Sequence, residues 1–178
     1  MPARERELIR MNAAELVAFL ASESTMTIAT IGPQGRPHLM PVHYYLERDG
    51  RPATWTYAKS QKTRNLERDP RATLQVEAGQ EYGELRGAML EADVEIVRDP
   101  DVVAQMGWQV VTHSGGQRSA AADLGEEARA RVLAQAPKRV GLRFTITRAL
   151  SWDHRKLSPR PAQTDQAAPR RSPPGVPG

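Results

Sequence analysis

The chain has 178 residues, 39% of them hydrophobic and 5% aromatic, which fits one domain with a modest core plus tails. It has no cysteine, which excludes disulfides, thiolate chemistry and cysteine-ligated zinc and fits a cytosolic protein. The formal net charge is +4, yet acids and bases alternate along most of the chain ("RERE", "LERDGR", "RNLERDPR"), so no basic stripe marks a nucleic-acid surface, and no apolar run approaches the ~18 residues of a membrane span.

The N-terminal "MPARERELIRM" is charged throughout, unlike a secretory signal. "NAAELVAFLASES" predicts a first helix, with Asn12 as N-cap and Glu15 at capping-box spacing. "TMTIATI" is a strand rich in β-branched residues, "GPQGRP" a turn, and "HLMPVHYYLE" a second strand turned back at Asp49-Gly50. "PATWTYA" is a third strand. A short helix follows from Gln61 to Arg68, stopped by Asp69-Pro70 because a residue before proline resists helical geometry. "RATLQVEAG" is a fourth strand, and "EYGELRGAMLEADVEIV" a long fifth one bent at Gly83 or Gly87. "DPDVVAQMGWQVVTH" and "EEARARVLAQ" are helical, joined by the flexible, Gly-rich "SGGQRSAAADLG", whose alternative reading is a lid. "RVGLRFTITRALSWD" is the closing strand.

This pattern predicts an α+β chain, mainly β, in which an antiparallel meander of about five strands rolls into a small barrel. Residues 1–157 form that domain, and residues 158–178 are a Pro/Arg-rich tail unable to bury a core. In the second strand Met40, Val42, Tyr44 and Leu46 share one parity, and Leu39, Pro41, His43 and Tyr45 the other. Neither face is clearly polar, so both are covered, most simply by a second copy of the chain on the outside.

The segment "KSQKTRNLERDPR" concentrates charge where a helix begins. Ser60 is the N-cap candidate, Lys62 lies in the first turn, and Thr63 and Arg64 follow. Open backbone N–H groups, hydroxyls and cations together make a phosphate seat, for which Lys59 is a further candidate. The competing reading is a solvated helix start. Basic residues there oppose the helix dipole, however, and so need a separate reason.

"TIATIGPQGRPHLMPVHYYLERDG" followed by "KTRNLERDPRATLQVEAG" resembles the split-barrel flavin-binding superfamily, which includes pyridoxamine phosphate oxidase and the actinobacterial flavin/deazaflavin oxidoreductases. Within it the chain is most similar to the B-type deazaflavin-dependent reductases, whose "K-x-x-N-L-x-x-D-P-R" segment matches Lys62, Asn65, Leu66, Asp69, Pro70 and Arg71. The resemblance covers residues 13 to 98, with a weaker match at 149–157. It implies a homodimeric antiparallel split barrel with the cofactor between subunits. The ring would lie along Pro41, Val42 and His43. The phosphate chain would reach Thr56, Tyr57, Lys59, Ser60, Lys62 and Asn65. Several relatives carry an arginine two residues before the lysine, where this chain has Ser60. Residues 99–138 follow no pattern of the family.

The implied reaction is hydride transfer from reduced coenzyme F420 to a conjugated small molecule, with a proton from solvent or a hydroxyl such as Tyr44 or Tyr82. FMN with a pyridoxamine-phosphate-oxidase-like activity is the alternative, and a non-catalytic cofactor carrier is another. No catalytic residue is assigned. His38 and His43, five apart on one strand, face opposite sides and cannot share a metal. There is no G-x-G-x-x-G and no P-loop. Trp55, Tyr82, Trp108 and Trp152 could each stack on a planar ring or simply pack in the core.

Overall fold

A computed structural model describes residues 3–113 and 125–157. The expected flexible joint at 114–124 and the tail at 158–178 lie outside the described residues.

The helices are α1 (Ala3–Ile9), α2 (Ala13–Ser22), α3 (Gln61–Arg68), α4 (Pro100–His113) and α5 (Gly125–Gln135). The strands are β1 (Thr25–Ile31), β2 (Pro37–His43), β3 (Tyr45–Leu46), β4 (Pro52–Tyr57), β5 (Arg71–Ala78), β6 (Arg86–Val97) and β7 (Arg139–Asp153). Local signals set many of these bounds. Asn12 caps α2 in a reciprocal pair, its Oδ1 accepting from Glu15 N at 2.9 Å while Glu15 Oε2 accepts from Asn12 N at 2.7 Å. No helix among the described residues is long and apolar enough to cross a membrane.

The strands form one antiparallel sheet in the order β2-β1-β5-β6-β7-β4-β3. This is not the expected meander. β4 pairs with β7, and α3 carries the chain across to β5, which pairs with β1. The predicted second strand also divides. β2 and β3 sit at opposite edges of the sheet order, yet only Tyr44 separates them. The two edges must therefore come together, and the sheet curls into the split barrel anticipated from the sequence. Tyr44 is the corner. Its side chain is buried, its hydroxyl donates to Leu20 O at 2.6 Å, and its N–H donates to Ser24 O at 3.1 Å. Thr54 Oγ1 then bridges back to His43 O at 2.6 Å.

Inward residues alternate along each strand: Met26 and Ile28, Leu74 and Val76, Leu90, Leu142 and Phe144 fill the barrel. A second cluster, with Ala53, Val97, Val103, Met106 and Val110, lies outside β4 and β7 under α4. The bend expected at Gly83 or Gly87 falls elsewhere. Gly83 sits in a 3-10 turn before β6 begins. At Gly87 the space of a side chain is filled by the Trp152 indole, 2.3 Å from where a Cβ would stand. The irregularity is instead a bulge at Glu91/Ala92, where Thr147 is left between paired residues of β7.

Candidate functional site

The end of β4, the turn into α3 and the start of β7 meet at one corner. Ala58 N–H donates to Lys138 O at 3.0 Å, which ties the turn to the residue before β7. Ser60 caps α3: its Oγ accepts from Thr63 N at 3.4 Å and lies 3.0 Å from Thr63 Oγ1, which donates to Tyr57 O at 3.0 Å. The cap and the strand end are thus locked together, and the first helical N–H groups are left to face an anion.

The charges at this corner are unbalanced. The first turn of α3 holds no acid. Among the described residues, none of Lys59, Lys62, Arg64, Lys138 and Arg139 forms an ion pair. Lys62 is only 9% exposed. Burial and, secondarily, the nearby Arg139 guanidinium hold its pKa below the usual lysine value. Arg139 lies over the Trp55 ring at 4.1 Å and the Tyr57 ring at 4.2 Å. Its Nε is buried and has no hydrogen-bond partner. Lys62 is a buried residue and Arg139 a half-buried one, and two cations side by side without an acid between them repel. The chemistry that satisfies both is an anion with several acceptor oxygens, such as a phosphate.

The other sequence-predicted residues divide. Thr56 is buried on the barrel side of β4, whereas Tyr57 and Lys59 are exposed beside the corner. Pro41 and His43 are exposed and Val42 is half-buried on β2, an edge strand whose Leu39 and Met40 are 58% and 40% exposed. His43 Nδ1 lies 3.3 Å from both Thr25 Oγ1 and Ser24 O. Asn65 is fully buried, with both ends of its amide engaged inside the protein. Tyr44 is no proton donor to a bound ring: its hydroxyl is committed to Leu20 O, and burial pushes its pKa up. Tyr82 is exposed and packs edge-on against His154. A groove of about 770 Å³, lined by residues including Ile9, Arg10, Leu150 and Trp152, lies at the far end of β7 from Arg139.

Arg139 is the residue that motif reading missed. It is 77 positions from Lys62, and the two meet only because β4 pairs with β7 in a register that sets Tyr57 opposite Arg139. The available signal was the basic "PKR" at the head of the closing strand.

Residues 13–153 match the family model described as pyridoxamine 5'-phosphate oxidase. Among solved structures, a conserved hypothetical protein from Mycobacterium tuberculosis is 38% identical, with 94% of each chain covered and a TM-score of 0.73. An F420 reductase is 18% identical over 74% of this chain and 93% of its own, with a TM-score of 0.55. A heme storage protein from Vibrio cholerae is 17% identical over 76% and 90%, with a TM-score of 0.54. The last two likenesses concern the fold alone. No curated protein is similar enough in sequence to count as a match.

Proposed function

The chain belongs to the pyridoxamine 5'-phosphate oxidase family, and from that premise we propose that it is an oxidoreductase that uses coenzyme F420 to reduce a conjugated small-molecule acceptor. The observation that carries the reading is the pair of neighbouring cations, Lys62 and Arg139, that have no acidic partner among the described residues at the capped start of α3. They fit the anionic tail of a redox cofactor. When bound, reduced deazaflavin supplies a hydride to the acceptor, and the chemistry asks no strong acid or base of the protein. The protein's work is to hold: Lys62, Ser60 and the open N–H groups take the phosphate, Lys59 and Tyr57 flank the chain leading to it with Thr56 backing them from the barrel side of β4, and the β2 backbone at Pro41, Val42 and His43 supports the ring. Asn65 keeps α3 in place.

The reading includes a homodimer. Leu39 and Met40 on β2 and Ile31 on β1 are exposed large apolar residues on neighbouring strands, and a second copy is the occupant that would also enclose the ring. A monomer-sized species in sedimentation at micromolar protein would overturn it.

FMN is the second reading. Two cations at one seat suit the dianionic phosphate monoester of FMN, and the sequence resemblance to the split-barrel flavin-binding superfamily allows a flavin. Titrating the purified protein with F420 and with FMN decides between them. Tighter F420 binding, with loss of reduced-F420 absorbance when quinones or enones are added, supports the proposal. A yellow protein that prefers FMN replaces it. If reduced F420 binds but stays unoxidised with every acceptor, the chain is a carrier.

The Lys62 pKa gives a further expectation. Its lowered value means that the ammonium is lost at a lower pH than in an ordinary lysine at 10.5. An anion binds the protonated form, so the cofactor dissociation constant should rise with alkaline pH from below that value, and Lys62→Met should remove this dependence. Without ligand the sign for stability is the reverse: between the two pKa values the unfolded chain holds more protons, so stability climbs with pH across that window.

A further inference from the structure

The geometry points to Trp55 as the positioning residue of the anion seat, held in place by a close approach of α4 at Gly107; this rests on the anion reading above. α4, which motif reading did not tie to the site, thereby acquires a role there. Trp55 and Tyr57 lie on the outer face of β4, and Arg139 and Gly141 stand opposite them on β7. The Arg139 guanidinium is sandwiched at 4.1 Å from the Trp55 ring and 4.2 Å from the Tyr57 ring. Trp55 is itself closely approached by α4. A Cβ at Gly107 would stand 2.5 Å from Trp55 Cε3, so only glycine lets the helix lie this close to the indole.

That glycine is mid-helix, where its backbone freedom weakens α4 relative to alanine. Its presence therefore calls for a packing reason, and the Trp55 face supplies one. Tyr57 is exposed and Trp55 is half-buried, so Trp55 is the better-held side of the clamp. The clamp fixes the guanidinium plane while the buried Nε keeps no hydrogen-bond partner among the described residues. A flat cation fixed on an aromatic face gives up less side-chain freedom on meeting an anion than a free one. α4 sets Trp55, Trp55 sets Arg139, and Arg139 shares the anion with Lys62.

The test is fluorescence titration of the full chain with F420 and with FMN, in wild type, Arg139→Met, Trp55→Leu, Trp55→Phe and the Trp55→Leu/Arg139→Met double variant, with melting temperatures in parallel. Arg139→Met should weaken the tighter-binding cofactor by roughly tenfold. Trp55→Leu should weaken it about three- to tenfold, Trp55→Phe should recover most of that, and the double variant should be no worse than Arg139→Met alone. Gly107→Ala, which pushes a methyl into the indole, should shift affinity in the same direction as Trp55→Leu. Additive effects of Trp55→Leu and Arg139→Met would overturn the inference, because Trp55 would then act by another route. So would an unchanged affinity in Trp55→Leu beside a weakened Arg139→Met. A different result, affinity unchanged in both Lys62→Ala and Arg139→Met, would remove the anion seat itself and this inference with it.

Discussion

Lys62→Ala is expected to weaken cofactor binding by roughly 10- to 150-fold, the range set by losing one charge-assisted hydrogen bond worth ~1.5–3 kcal/mol. The same change should not destabilise the empty protein. In the absence of an anion, Lys62 is a residue only 9% exposed whose charge has no acidic partner among the described residues and is pressed by Arg139. Removing it relieves that penalty, and Lys62→Met, which keeps the aliphatic bulk, should raise the melting temperature of the ligand-free chain. Opposite signs in binding and in stability are what a residue retained for function produces. Isothermal titration and thermal melts on the same samples read both. An unchanged dissociation constant at low salt, together with a lower melting temperature, would make Lys62 a structural residue and remove the phosphate seat.

What the sequence disclosed follows the range of the forces involved. The Asn12 and Ser60 caps, the Asp69-Pro70 stop and the β-branched run Thr25–Ile31 are decided within a few residues, and the structure places them where the pattern does. The break at Tyr44 is different. "HLMPVHYYLE" reads as one strand because each residue suits a strand. It divides because closing the barrel buries Tyr44 against Leu20 and sends Tyr45 to another ladder. Strand order was hidden for the same reason: β5 joins β1 through pairings that no local window contains. The candidate site was half legible. Lys62 and Ser60 announce themselves in one short segment, while Arg139 joins them only through the β4–β7 register. Gly107 was a visible oddity, a glycine inside a helix, but its partner Trp55 is 52 positions away and only packing connects them.

Asn65→Ala should separate two roles that sequence alone leaves merged. The motif puts Asn65 with the cofactor ligands, yet its side chain is 0% exposed and faces the barrel. Its Nδ2 donates to Thr30 Oγ1 at 3.0 Å, and its Oδ1 accepts from Gln61 Nε2 at 2.8 Å and from an Arg68 guanidinium nitrogen at 3.4 Å. Thr30 is 1% exposed, and among the described residues its hydroxyl reaches only His38 O, at 3.5 Å, besides Asn65. Truncation leaves buried polar groups short of partners and opens space beneath α3, for a cost of roughly 2–4 kcal/mol. For a chain of this size that is a fall in melting temperature of about 5–15 °C. Cofactor affinity, measured well below that melting temperature, should change by no more than about threefold, because the cations at the start of α3 remain. Asn65→Asp keeps the Oδ1 acceptor for Gln61 and Arg68, and its second oxygen can accept from a Thr30 hydroxyl turned to donate, so it should recover part of the stability. The reverse pattern, a large loss of affinity with an unmoved melting temperature, would put Asn65 in direct contact with the cofactor and require α3 to rotate on binding.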